Sequence, residues 1–246
     1  MEQGVFFEVG DFDRSKVNLD KTATSAEEFL KQMIVGREQC PEVIKANLDP
    51  QKLKPPSNQI PLDPSRGLVC PLAPGKEWAN HMSNDFSMKR SLLEGRRNKI
   101  SKIKGLDLPQ PECASKWRQI VLEQRLPAVE IPPELEASFA HHKGTPPTLR
   151  LIISLTDVQV NSLIQNLIEH FVENGYSRPL FEWIHSLLLV VNKPLLQDVC
   201  SSLRAMSRQC RILRSTLGPN DMVLIREFTL FIALVSIYFG QKDLAD

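Results

Sequence analysis

Residues Thr156–Gly175, TDVQVNSLIQNLIEHFVENG, decide the fold class. Thr156 and Gln159 stand three apart, the spacing of a capping box in which each side chain satisfies a first-turn amide. Val158, Leu163, Ile164, Leu167, Ile168, Phe171 and Val172 then recur at three- and four-residue steps, the period of an amphipathic helix with a broad apolar face. Gly175 can take the positive backbone angle that ends such a helix. The spacing therefore predicts a helix over about 156–174.

Proline marks the helix boundaries beyond Gly175. Fifteen of the 18 prolines precede residue 150, and the other three, Pro179, Pro194 and Pro219, stand where helices would begin. In the first helical turn a proline loses no helix bond and presets the backbone angle. Three further helices are expected, over about 179–192, 194–217 and 219–239. The last is apolar almost all round in its second half, which marks it as central. Short connections favour antiparallel neighbours, so the C-terminal hundred residues read as an antiparallel helical bundle. Phe228–Phe239 is the most apolar run, but a span needs about 20 residues; no membrane role is expected.

The N-terminal half reads differently. Residues 1–21 have no helical period, yet Val5, Phe6, Phe7 and Val9 are apolar. Ser25 and Glu28 form a second potential capping box before Phe29, Leu30, Met33 and Ile34, which predicts a helix over about 26–40. Residues 49–75 are proline-rich and read as an extended linker. A long helix is expected over about 76–103, weakened by Gly95, and a short one over 116–124 around Trp117. The expected organisation is an arm and helix over 1–48, a linker over 49–75 and a helical domain over 76–246. The fold class is mainly α, a C-terminal antiparallel bundle preceded by an extended, partly helical arm.

Composition narrows the function. The 246 residues carry a formal net charge of +1, too little for a protein that coats nucleic acid. Cys40, Cys70, Cys113, Cys200 and Cys210 contain no CxxC pair, so reduced, intracellular thiols are the simplest reading. Phosphate loops, zinc-protease motifs and nucleophile elbows are absent from the sequence. His141 and His142 adjoin without the further ligand spacing a metal site needs, and His170 and His185 fall within amphipathic helices. No catalytic residue, metal or cofactor is expected, and a non-catalytic binding protein of the cytoplasm and nucleus is. Two basic stretches stand out. Arg204, Arg208, Arg211 and Arg214 make a stripe on the third C-terminal helix, and Lys89, Arg90, Arg96, Arg97, Lys99, Lys102 and Lys104 make a second. Each reads as a solvated helix face or as a contact to an acidic partner or RNA. An RNA-binding helical adaptor acting through these faces is the alternative function.

Two segments carry a family resemblance. EQCPEVIKANLDPQKLK, residues 38–54, and the ending YFGQKDLAD, residues 238–246, resemble the corresponding segments of the gem-associated protein 2 family, the SMN-interacting proteins. Trp78, Trp117, Trp183, Asn192-Lys193-Pro194-Leu195-Leu196 and Arg208-Gln209-Cys210 fall in the matching order. The likeness covers about residues 7–54, 76–103 and 145–246, and residues 104–144 differ most. The resemblance implies a scaffold of the SMN complex that holds an open five-membered set of Sm proteins during spliceosomal snRNP assembly. It also implies that the N-terminal segment runs along the Sm crescent, that the helical domain receives a helix from SMN, and that snRNA is approached through the arm at most. On this basis Phe29, Met33, Val43, Leu48, Leu53, Arg204, Arg208 and Arg211 are expected to face Sm proteins, and Tyr238, Phe239 and Leu244 to face SMN. Gems are the nuclear location it implies.

Overall fold

A computed structural model describes residues 9–43, 63–65 and 67–245. The chain divides into two compact units, Met1–Ile60 and Pro61–Asp246. Among the described residues there are nine α-helices and no strand: α1 (Ala26–Gln39), α2 (Lys76–Arg96), α3 (Ala114–Leu122), α4 (Pro133–Glu136), α5 (Leu149–Ser154), α6 (Asp157–Asn174), α7 (Arg178–Val190), α8 (Gln197–Ser215) and α9 (Met222–Ala233). The mainly α class expected from sequence is the one observed.

In the first unit, α1 is capped at Ser25, whose hydroxyl accepts the Glu28 amide at 3.2 Å. The reciprocal half of the expected box is displaced: the Glu28 carboxylate accepts from the amide and hydroxyl of Thr24 instead, at 2.8 and 2.7 Å. Residues 12–21 fold back along the helix. The Gln32 side chain donates to the carbonyls of Asn18 and Lys21, and Arg14 pairs with Glu38 at 2.8 Å. Among the described residues of this unit only Val35 is buried.

The second unit is built on α6. Its capping box forms as expected, with the Gln159 amide 3.3 Å from Thr156 Oγ1 and the Thr156 amide 2.9 Å from Gln159 Oε1. Leu163, Ile164, Leu167, Ile168 and Phe171 are buried, whereas Val158 is 64% exposed and Val172 also faces outward. The apolar face is therefore narrower than the sequence pattern. Gly175 has φ +87°, with an extended ψ rather than a left-handed helical one. Helix α6 packs on α7 and α8, α8 on α9, and α2 against α7 and α9. Phe181 sits at the centre of an aromatic cluster, with Phe171, Tyr176 and Phe231 edge-on at 4.9 Å and Phe228 at 5.6 Å. Each such contact contributes about 0.5–1.5 kcal/mol beyond area burial.

Several boundaries move. Helix α2 ends at Arg96 rather than near 103, passing into a short 3-10 turn at Arg97–Lys99. Helix α8 begins at Gln197, three residues past Pro194. The final helix changes pitch: Leu234–Tyr238 is a π-turn, closed by the Phe239 amide on the Leu234 carbonyl at 2.9 Å. The proline-rich residues from 63 onward belong with the helices rather than to an extended spacer. Asp63 accepts from Arg208 of α8 at 2.6 Å, and Ser65 and Cys70 are buried. Residues 49–62 of the expected linker lie outside the described residues.

Residues 104–144 are keyed into this unit by the Gly144-Thr145 pair. The Thr145 amide donates to the Ile120 carbonyl at 2.8 Å and its carbonyl accepts from Trp183 Nε1 at 2.8 Å. Its hydroxyl bridges the Leu126 amide and the Gln124 carbonyl. Gly144 lies so close to α3 that a Cβ would stand 2.3 Å from the Val121 carbonyl oxygen, a backbone atom that cannot swing aside. Gly144→Ala is expected to cost about 3 kcal/mol through forced backbone displacement. Thr156→Ala is expected to cost about 1 kcal/mol through the lost cap. Urea unfolding followed by circular dichroism measures both.

Candidate partner-binding surfaces

On α1 the face opposite the folded-back residues is apolar and open. Phe29 and Met33, one turn apart, are 58% and 53% exposed, and Val43 beyond the helix is 82% exposed. The other face is occupied by the unit's own residues through Gln32, Val35 and Glu38. Desolvating a side chain of this size contributes roughly 1.5–3 kcal/mol, so the outward pair is a ready anchor. Leu48 and Leu53 lie outside the described residues.

In the helical unit a cavity of about 450 Å³ opens between α2, α7 and α9. Met82, Phe86, Phe139, Phe181, Leu230 and Phe231 line its apolar part, and Asp85, Lys89, Glu182, His185 and Glu227 its polar part. Helix α2 is positioned there by Arg90, whose guanidinium donates to the carbonyls of Leu188 and Val191 at the end of α7. The Lys89–Asp85 pair, 2.8 Å, lies along α2. Tyr176 donates to Glu227 at 2.7 Å, and burial pushes the Glu227 carboxyl up. A second apolar cavity, about 350 Å³, is lined by Ile131, Pro132, Pro133, Leu135, Phe139 and Leu149 among others.

The residues expected to face SMN divide. Tyr238 and Phe239 are half-buried and pack edge-on against Phe86, at 4.9 and 6.3 Å, so they back the α2 wall of the larger cavity. The Lys193 ammonium stands 3.5 Å from the Tyr238 ring centroid. Leu244 is 3% exposed and belongs to the core. It cannot present its side chain to a partner while the bundle stays closed.

The arginine stripe of α8 is engaged within the chain. Arg204 makes a bidentate ion pair with Asp243 and bonds Gln241. Arg208 pairs with Asp63, and Arg211 donates to the carbonyls of Leu244 and Ala245. Arg214 is 1% exposed and donates to Thr229 at 3.0 Å. Arg204, Arg208 and Arg211 bind residues 241–245 and 63 to the helix, and Arg214 ties α8 to α9. The reading of the stripe as a free outer face is corrected: i and i+3/i+4 spacing aligned the side chains, but acidic and carbonyl groups remote in sequence receive them.

His141 and His142 converge on Glu182 at 3.0 and 2.7 Å, with ligand-type atoms of all three residues within 4.8 Å of one another. The same carboxylate accepts from Arg178 at 2.9 Å. Burial pushes Glu182 up, but the donors from His142, Arg178 and His141 outweigh it and hold the carboxyl below its usual range. Burial lowers His142. The Arg178 charge beside the carboxylate fits a docking contact of the 139–148 loop on α7 better than a cation cradle. Sequence reading missed this cluster's carboxylate partner because 40 residues separate it from His142.

No helix among the described residues is long and apolar enough to cross a membrane. The model of the Survival motor neuron (SMN) interacting protein 1 (SIP1) family matches residues 15–242. The chain belongs to this family. Gem-associated protein 2 of mouse is 30% identical over 232 residues, spanning 89% of this chain and 85% of the relative. Its Xenopus laevis counterpart is 28% identical, spanning 89% and 88%, and that of Drosophila melanogaster 22%, spanning 94% and 91%. The described fold is also similar to a chain of a solved structure titled "The 8S snRNP Assembly Intermediate", with a TM-score of 0.56, 21% identity and coverage of 90% of this chain and 98% of that one.

Burial lowers His185 to about 4, with Lys89 lowering and Asp85 opposing. A histidine whose folded value lies below its unfolded one contributes stability above the unfolded value and loses it as the unfolded chain takes up the proton. His142 acts in the same direction. Stability is therefore expected to fall as pH drops from about 6.5 toward 4, by on the order of 2 kcal/mol for a partly exposed group such as His185. Replacing His185 by Phe should flatten this limb in denaturation curves recorded across that range.

Proposed function

We propose that this chain is a non-catalytic scaffold subunit of snRNP assembly that grips Sm proteins through its N-terminal unit and an SMN-derived helix through its helical unit. The observation that carries the proposal is the presence of outward apolar anchors in one unit and an open apolar cavity in the other. Family membership supports it through the name SMN-interacting protein, and the structural neighbour through its title, an snRNP assembly intermediate. Two weak attachments to one guest gain about 10²–10⁴ in avidity when a tether holds both within reach.

Within this proposal the N-terminal Sm-binding element spans residues 1–48. Phe29 and Met33 anchor an open Sm pentamer, with Val43, Leu48 and Leu53 extending the contact along the chain. The cavity between α2, α7 and α9 receives one face of an amphipathic helix at three- and four-residue spacing. Tyr238 and Phe239 support its α2 wall through Phe86. Arg204 and Arg211 serve the Sm contact indirectly, by holding the C-terminal residues against α8, and Arg208 by holding Asp63. The protein works in the cytoplasm and in nuclear gems, without catalysis.

Mixing the full chain with the five Sm proteins and a peptide of the SMN N-terminal helix should give one discrete species on size exclusion. The double variant Phe29→Asp and Met33→Asp should lose the Sm proteins, keep the peptide and melt as the parent does. Met82→Glu, at the lip of the cavity, should lose the peptide and keep the Sm proteins. Undiminished binding by either variant would remove the corresponding contact from the proposal.

A further inference from the structure

Of the two basic stretches, the tertiary structure consumes one and presents the other. Arg204, Arg208, Arg211 and Arg214 are all engaged inside the chain. In the second stretch Lys89 is paired with Asp85, Arg90 caps α7 and Arg97 lies 3.8 Å from Glu94. Arg96, Lys99, Lys102 and Lys104 are exposed, and none makes an ion pair among the described residues.

The backbone beneath these four cations is fixed. The Ile103 amide donates to Ser154 Oγ at 2.9 Å, Arg150 Nε to the Ser101 carbonyl at 3.3 Å, and Ser154 Oγ to the Arg150 carbonyl at 2.7 Å. Leu93, Ile103 and Leu106 pack against the core. Lys102 and, in the turn that follows, Lys104 are exposed on either side of the half-buried Ile103. Arg96 at the end of α2, Lys99 in the 3-10 turn and Lys102 and Lys104 beyond it thus put four exposed cations within nine residues of chain. A nucleic-acid strand carries one phosphate per nucleotide, so several phosphates can meet such a cluster.

We infer that Arg96, Lys99, Lys102 and Lys104 form a track for the phosphate backbone of an RNA strand. The chemistry favours RNA over an acidic peptide. Regularly spaced phosphates can be followed by flexible cations without a pocket, whereas peptide recognition adds pockets for side chains, and none of these four residues lines either apolar cavity of the helical unit. A backbone contact carries no base information; RNA is the strand within reach under the proposed function, and in that respect alone the inference rests on it.

The test measures binding of a fluorescent oligouridylate to the full chain by anisotropy across a salt series. Polyglutamate and vesicles containing phosphatidylserine serve as competing anions. The parent should bind RNA with a log–log salt slope approaching about −2.8, the value for four single-strand phosphate contacts. The K99E/K102E/K104E variant should bind at least about tenfold more weakly, with a slope shallower by about 2. A control variant with the same charge change elsewhere, K76E/K116E/K143E, should keep most of the affinity. Circular dichroism and co-elution with Sm proteins and the SMN peptide should be unchanged for both variants, which separates failure of the track from failure of the scaffold function. Equal RNA binding by parent and track variant would overturn the inference, as would equal losses in both variants. Tighter binding of polyglutamate or of the vesicles than of RNA would overturn it in favour of an acidic protein or a membrane surface.

Discussion

The buried hydrogen bond from Trp183 to the Thr145 carbonyl is the constraint on which the helical unit turns. It joins α7, the most deeply buried helix, to a loop that is in turn bonded to α3 through the Ile120 carbonyl. Both Trp183 and Thr145 are almost wholly excluded from water. An unpaired indole N–H or carbonyl there would carry the desolvation penalty of about 1–3 kcal/mol. The glycine before Thr145 is the steric condition for the contact, because only a residue without Cβ can approach the Val121 carbonyl so closely. Through this joint the loop around Thr145 becomes part of the wall of the larger cavity, which Phe139 and Pro147 help to line.

Charge is distributed by the same logic. The guanidinium groups of α8 meet carbonyls and carboxylates from both ends of the unit, Asp63 on one side and residues 241–245 on the other. An arginine fork suits this role because its donors can reach two acceptors in fixed directions. The same residue type at Arg90 closes the end of α7 on α2. Cations used in this way hold the fold together and are withdrawn from any partner. Those at and beyond the end of α2 face water, while Leu93, Ile103 and Leu106 of the same stretch pack against the core.

Much of this was legible in the sequence. The period of Leu163 through Phe171 and the Thr156–Gln159 spacing are local quantities, and α6 follows them closely. The same holds for α7, whose start at Ser177 and Pro179 depends on backbone angles alone. Where local pattern and tertiary environment diverge, the environment decides. Val158 shares the helical period yet stands in water, because no neighbour covers the first turn of α6. Leu244 belongs to a polar C-terminal stretch yet is buried, because the arginines of α8 draw that stretch down. At Ser25 the expected reciprocal bond passed to Thr24, an equally good donor one residue earlier.

By itself the sequence determined the helical class, the positions of most helices in the bundle and the family, because periodicity, capping and short motifs are encoded within a few residues of one another. Only the tertiary structure decided which basic stretch faces solvent, which aromatic residues wall a cavity and that His142 meets Glu182. Those outcomes depend on pairs separated by tens of residues along the chain, and a one-dimensional pattern contains no term for which distant group arrives to satisfy a charge or cover a side chain.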